Sequence, residues 1–427
     1  MTSTDHPLLA GLPALLPGLR DLYEDLHAHP ELSFQEKRTA QVVADRLRGQ
    51  GWEVTAGVGG TGVVGVLRNG EGPTVLLRAD MDALPVKEET GLAYASTATA
   101  VNETGETVPV MHACGHDMHV TCLLGATQLL AANPDTWRGT VLAVFQPAEE
   151  VGGAPVMIED GFLERFPRAD VCLAQHVAPL PVGYAGTRHG TVMAASDNLH
   201  VRLFGKGGHG SAPETTVDPV VMAAAVIMRL QTVVAREIGA TQMAVVTVGA
   251  VQAGTKENII PDTAELKINI RSAGPAVREQ VVSAVKRIIR SEAMASAAPR
   301  EPEITELHTF PVTVNDPAAT DQVLTAMARV VGSERAFTMP QPVTGSEDFG
   351  TFGAALQVPS VFWFYGALDP EIFDGFQLAD LVTEGRLPDV PSSHSPRFAP
   401  LAGPAIETGV RLMLSAASEW LTHPAAS

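Results

Sequence analysis

Three histidines, a cysteine and an aspartate crowd into one short run: Met111-His112-Ala113-Cys114-Gly115-His116-Asp117-Met118-His119. Thiolate and imidazole both bind borderline-soft divalent ions such as Zn²⁺. Cys114 and His116 lie two apart across Gly115, so a tight turn can aim both at one ion. A redox thiol or a chance His-rich turn is the competing reading. A helix starting after the run would bring its positive dipole end to the cluster. A second group, Phe145-Gln146-Pro147-Ala148-Glu149-Glu150, follows the strand-like stretch 140–145. Ligands of open α/β sheets gather beyond the carboxyl ends of strands. Two adjacent carboxylates there can divide labour, one binding a metal and the other taking a proton from activated water. A solvated loop pair is the alternative. Asp80-Met81-Asp82 repeats the pattern after 74–78, and His176 repeats it after 171–174. His394, in Ser393-His394-Ser395-Pro396-Arg397-Phe398, joins them only if the chain returns to the same edge. The other histidines carry less. His27 and His29 flank the end of the first helix, where a cation meets the negative dipole end. His189, His200 and His308 stand singly in strand-like contexts.

The elements that must position these groups are legible from periodicity and turn residues. Helices are expected over 15–26 and 35–50, then strands over 61–68, 74–78, 140–145 and 171–174, with a helix over 120–132 between. This alternation predicts α/β layering around a sheet. The middle differs. Strands over 198–204, 244–251, 264–271 and 303–308 with helices over 217–235 and 275–293 make a compact α+β insertion. The main domain resumes with a helix over 318–331, a strand over 360–365 and a closing helix over 405–421. The stretch 367–393 is expected to be a long functional loop.

Composition excludes several classes. The 427 residues carry 29 Lys+Arg against 48 Asp+Glu, a net charge of −19. Such a chain repels phosphate backbones, so nucleic acid is not an expected partner. Three cysteines cannot make a disulfide scaffold, and reduced thiols point to the cytoplasm. The N-terminus lacks the positive region of a signal peptide. The longest apolar run, 220–235, is interrupted by Arg229 and Gln231 and is shorter than the roughly 20 residues a bilayer span needs. A buried helix and no membrane partner are expected.

Taken together, the motifs resemble the amidohydrolase branch of the aminoacylase/carboxypeptidase-G metallopeptidase family, which includes hippurate hydrolases and auxin-conjugate hydrolases. The matching segments run almost end to end. They are His27-Ala28-His29-Pro30-Glu31-Leu32-Ser33, Arg78-Ala79-Asp80-Met81-Asp82-Ala83-Leu84-Pro85, His112-Ala113-Cys114-Gly115-His116-Asp117 and Gln146-Pro147-Ala148-Glu149-Glu150. Gly205-Lys206-Gly207-Gly208-His209, Asn258-Ile259-Ile260-Pro261 and Gly345-Ser346-Glu347-Asp348-Phe349 complete the set.

The resemblance implies an α/β catalytic domain, a mixed sheet flanked by helices, over 1–191 and 312–427. It also implies an inserted α+β lid or dimerisation domain over 192–311. The implied metal ligands are Cys114, His116, Glu150, His176 and His394, holding two divalent ions, Zn²⁺ or Mn²⁺, with Co²⁺ or Ni²⁺ as options. Glu149 takes the general-base position, and Asp82 is counted with it as a catalytic carboxylate. Asp82 and Asp117 match acidic positions that support the centre. His209, Asn258 and Arg271 are implied substrate contacts. The implied reaction is hydrolysis of an N-acyl-L-amino acid by a homodimer or higher homo-oligomer, with a dipeptidase or carboxypeptidase as the alternative. One departure stands out: Glu214 follows Pro213 where many relatives carry a histidine.

Overall fold

The computed structural model describes residues 6–373, 375, 377–384 and 389–421. The chain divides into two compact units. The larger comprises Met1–Val192, Val314–Gln341 and Asp348–Ser427, and the smaller Met193–Thr313 with Pro342–Glu347. Pro342–Glu347, expected with the larger domain, therefore belongs to the smaller unit. The Ala194 amide bonds the carbonyls of Val343 and Gly345 at 3.1 and 3.0 Å, and the Arg271 guanidinium bonds Ser346 Oγ at 3.1 Å.

The larger unit is built on an eight-stranded mixed sheet. Its strands run in the order Glu53–Val58, Gly62–Asn69, Gly139–Gln146, Thr74–Asp80, Val171–Pro181, Ser360–Leu368, Ala185–Thr187, Ala336–Thr338. The four central strands are parallel to one another. Such strands are buried on both faces and carry continuous apolar runs rather than alternation. Val75, Leu77 and Ala79 join a core shared with helices Leu12–Ala28, His116–Ala132 and Ala402–Ala417. Leu76, on the opposite face, is equally buried. On that side Phe162 and Phe352 meet edge to face at 5.3 Å.

Several boundaries differ from expectation, each for a reason of pairing. The strand expected over 171–174 runs Val171–Pro181, because its parallel partner Ser360–Leu368 continues and sets Phe364 opposite His176. His176 thus lies within a strand, not beyond its end. The helix expected from 120 starts at His116. The stretch 367–393 is not wholly loop: it holds a 3₁₀ turn, Pro370–Ile372, and a helix, Leu378–Glu384. Residues 374, 376 and 385–388 of that stretch lie outside the described residues.

The smaller unit is a four-stranded antiparallel sheet in the order Ala244–Ala253, Thr263–Ser272, Ala195–Phe204, Glu303–Phe310. Helices Pro219–Thr232 and Pro275–Ala295 share a core with it. Asp218 caps the first of these by accepting the Val220 amide at 2.8 Å, and Pro219 occupies a position whose amide needs no partner. Met222, Val226 and Leu230 are buried, whereas Val221 and Met228 are 64% and 72% exposed. The helix expected to be buried is buried on one face only. The stretch Pro219–Glu237 is long and apolar enough to cross a bilayer by composition alone, yet one face of its helix packs on this sheet.

The helix that carries His116 is enclosed on nearly every side, and Gly125 makes that possible. A Cβ there would lie 2.8 Å from Leu19 Cδ1 and 2.9 Å from Val410 Cγ2, so three helices meet at a point with no spare volume. Gly125→Val should lower stability by about 1–3 kcal/mol through overpacking. A lower denaturation midpoint with unchanged denaturant slope is the expected reading, and an unchanged midpoint would contradict the close approach.

Candidate metal centre

Gly115 shapes the entry to the site. It has φ +80, donates its amide to the His112 carbonyl at 3.2 Å and precedes helix His116–Ala132. A Cβ here would stand 2.5 Å from Val177 Cγ2, so the position demands glycine both for its backbone and for its contact. Around this turn three groups of ligand atoms gather, each within 4.8 Å: Cys114, His116 and His176; Cys114, Glu150 and His394; His116, Glu149 and Glu150. All five ligands implied by the sequence, with Glu149, therefore fall into one overlapping constellation.

The histidines are aimed by their second nitrogens. His176 Nδ1 lies 2.6 Å from the Val177 carbonyl, which assigns the proton to Nδ1 and leaves the Nε2 lone pair facing Cys114 Sγ at 3.5 Å. His116 Nδ1 lies 3.2 Å from Asp82 Oδ1, and its fully buried Nε2 has no hydrogen-bond partner among the described residues. A buried polar atom left unpaired is costly, and a coordinated cation removes that cost. His394 holds a left-handed backbone, φ +71, and its amide bonds the Ala113 carbonyl at 2.8 Å, returning the chain to the Cys114 turn. Its Nε2 lies 3.2 Å from Glu150 Oε1. Hydrogen bonding to Cys114 and then to Glu150 draws the His394 pKa up to about 10. The centre's own anions thus call for positive charge in their midst. Sulfur, nitrogen and carboxylate donors in this mixture fit Zn²⁺ and also Mn²⁺, Co²⁺ or Ni²⁺.

Asp82 ties the constellation together. Its Oδ1 accepts the Glu149 amide at 3.0 Å and faces His116; its Oδ2 accepts the Glu150 amide at 3.1 Å and Ser33 Oγ at 2.7 Å. Burial alone would raise its pKa, but the bond from His116, its charge and the Ser33 hydroxyl outweigh burial and hold it low. Both oxygens are committed to the chain and the residue is 1% exposed. Asp82, expected both with the catalytic carboxylates and as a support of the centre, thus has its two oxygens placed for support.

Further groups support the arrangement through pairings that the sequence reading did not give. His119 bridges Asp80 Oδ1, at 2.5 Å, and the Val177 amide, at 2.9 Å, so both its nitrogens are spent on orientation. Asp80 in turn accepts from the buried Arg78 at 2.6 Å, and Arg78 bonds Gln146 Oε1 at 2.8 Å. His27 lies in the last turn of helix Leu12–Ala28, as expected. It is buried between Asp117 at 2.6 Å and Glu88 at 3.0 Å. Burial disfavours its charge, yet these two carboxylates outweigh burial and raise its pKa to about 10. Glu36, three residues beyond the His27–Ser33 motif, accepts the Ala148 amide at 2.8 Å, directly before Glu149. Cys122 and Cys172 are buried core thiols whose pKa burial pushes up to about 12.

The remaining implied site residues lie in the smaller unit. His209 and Ile259 pair in a two-stranded ribbon, and the Gly210 amide bonds the Asn258 carbonyl at 2.9 Å, so His209 and Asn258 are neighbours. Both are exposed, and His209 Nδ1 lies 2.7 Å from Ser211 Oγ. Arg271 is half-buried, and all its partners are neutral: Asn269 Oδ1 at 3.0 Å, Ser346 Oγ and the Thr344 carbonyl. Partial burial lowers its pKa.

Comparison with known proteins identifies the family. Residues 76–374 match the family described as Peptidase family M20/M25/M40. The chain is 39% identical over 347 residues to a thermostable carboxypeptidase of Saccharolobus solfataricus, covering 80% of this chain and 84% of the relative. It is 38% identical over 348 residues to a hippurate hydrolase of Campylobacter jejuni, covering 79% and 87%. A crystal structure of a Bacillus subtilis dinuclear metal binding peptidase from the M20 family superposes with a TM-score of 0.72 at 28% identity, covering 95% of this chain and 99% of that one. The chain belongs to the M20/M25/M40 peptidase family and is a hydrolase.

Proposed function

We propose that the protein is a metal-dependent amidohydrolase that cleaves N-acyl-L-amino acids to a carboxylate and a free amino acid. The observation that carries this reading is the placement of Glu149, whose carboxylate lies within 4.8 Å of ligand atoms of His116 and Glu150. It is 6% exposed and held by its own amide to Asp82. Cys114, His116, Glu150, His176 and His394 would hold two divalent ions, in keeping with the dinuclear relative. When bound, such ions polarise a carbonyl and lower the pKa of water from about 15.7 towards about 7.

Glu149 takes a proton from the attacking water as the water oxygen bonds to the acyl carbon. It then delivers that proton to the amide nitrogen as the C–N bond breaks, so the amino acid leaves neutral at nitrogen. General acid–base catalysis of this kind contributes about 10²- to 10⁴-fold. His209 and Asn258 are assigned to substrate contact, with His209 a donor to the developing oxyanion. Arg271 is assigned to the substrate carboxylate, because no carboxylate pairs with its guanidinium among the described residues. The three free thiols support a reducing, cytoplasmic setting. A homodimer belongs to the same reading and is tested by sedimentation. The open edge strand Ala244–Ala253 of the smaller unit's sheet, with Val245 and Val251 exposed, supports it.

The carboxypeptidase relative supports the alternative, a peptidase with the same centre. Parallel assays on hippurate, N-acetyl amino acids and dipeptides separate the two.

Glu149→Gln should retain bound metal and lose at least about 100-fold in kcat; near wild-type turnover would remove the base assignment. Chelation should abolish wild-type activity and added metal should restore it. Arg271→Met should raise KM for hippurate at least about tenfold while changing kcat little, the signature of lost uniform binding. An unchanged KM would detach Arg271 from substrate.

A further inference from the structure

The residue before the catalytic base is held in an unusual backbone conformation. Ala148 has φ +54 and ψ +40, a left-handed region that residues with a Cβ seldom adopt. Here it turns the chain from strand Gly139–Gln146 into the 3₁₀ turn Glu149–Val151. The surrounding space leaves the turn little freedom. A Cβ on Gly153 would lie 1.8 Å from the Pro147 carbonyl oxygen, and one on Gly62 would lie 3.0 Å from Pro147 Cδ.

A single buried carboxyl reaches into this assembly. Glu36 is 0% exposed. Its Oε1 accepts the Ala148 amide at 2.8 Å, and its Oε2 accepts Thr61 Oγ1 at 2.5 Å. Thr61 sits in the turn between strands Glu53–Val58 and Gly62–Asn69. Glu36 itself precedes helix Lys37–Gly49. Three separate pieces of chain thus converge on one carboxyl, and its contact is with the amide three bonds from the Glu149 nitrogen.

We propose that Glu36 is a positioning residue for Glu149: by accepting the Ala148 amide it holds the left-handed turn that presents the base, while Thr61 fixes the Glu36 side chain. The proposal rests on Glu149 as the general base. Burial, with Asp82 adding to it, pushes the Glu36 pKa up to about 7. An oxygen acceptor for the Ala148 amide is present in either protonation state, so the role depends on the acceptor and not on the charge.

The test uses the full-length, metal-loaded protein with hippurate and the N-acyl amino acids it turns over. Glu36→Met keeps volume and removes the acceptor. It should lower kcat about 10- to 100-fold, the scale of a small misplacement of a catalytic group. KM and bound metal should stay within about twofold. Glu36→Gln keeps the acceptor and should recover kcat to within about threefold of wild type. In an Ala148→Gly background, where the left-handed turn costs the backbone little, Glu36→Met should cost at least about threefold less than it does beside Ala148. A kcat for Glu36→Met within about twofold of wild type overturns the proposal. So do equal losses for Met and Gln in both backgrounds, because a purely structural role predicts them. If Glu36→Met does not fold, Thr61→Val carries the test. It should lower kcat at least about threefold with metal retained, and unchanged turnover overturns the proposal. Glu149→Gln, assayed alongside, separates the two levels. Activity in that variant removes the base assignment, whereas an inactive Glu149→Gln beside a fully active Glu36→Met overturns only the role of Glu36.

Discussion

One buried carboxylate sets the geometry on which the site depends. Asp82 accepts the amides of both Glu149 and Glu150 and faces the ring of His116. The proposed base, a carboxylate ligand and an imidazole ligand are thereby referred to a single pair of oxygens. Hydrogen bonds to an ionised acceptor are shorter and about twice as strong as neutral ones, and burial spares them competition from water. The arrangement needs the parallel sheet, because Asp82 follows strand Thr74–Asp80 and Glu149 follows its neighbour Gly139–Gln146. Parallel register brings both strand ends to one edge, which explains why the chemistry collects there.

Charge explains why the edge must be so heavily braced. Asp80, Asp82, Asp117, Glu149 and Asp348 are all buried near it. Each buried anion is met by a cation or several donors: Arg78 serves Asp80, His27 serves Asp117, and Gln146 and the Ala154 amide serve Asp348. Cys114 and Glu150 lie among the groups whose atoms gather closely enough to hold a metal ion. The net charge of −19 describes the surface and its solubility. In the smaller unit Arg271 stands among neutral partners, which supports its proposed part in binding an acid.

The candidate ligands were legible because most of them are spaced locally or follow strand-like runs, and the family resemblance supplied their roles. Cys114 and His116 flank a single glycine, and Glu150 follows a run that reads as a strand. His394 was legible only through the family pattern, since its amide reaches Ala113 across the whole second half of the chain. The pairings of the supporting groups were not legible, for the same physical reason in each case. Glu36 meets Ala148 across 112 positions, His27 meets Asp117 across 90, and Arg78 meets Asp348 across 270. Periodicity carries no information at such separations. Asp82 was legible as an acid that supports the centre only through the family pattern, because the groups that donate to it, the amides of Glu149 and Glu150 and the Ser33 hydroxyl, come from distant segments. The error at Pro342–Glu347 arose because domain membership there depends on backbone bonds to Ala194.

If Asp82 organises the centre, its loss should disturb metal and base together. Asp82→Asn keeps shape and burial but offers one acceptor oxygen where two are used. Metal stoichiometry and kcat, measured on folded protein after equilibration with limiting metal, address this directly. The account predicts a fall of about 10- to 100-fold in metal affinity, the scale seen when groups that orient metal ligands are removed, with kcat lowered at saturating metal as well. Wild-type metal affinity and wild-type kcat in folded Asp82→Asn would contradict it.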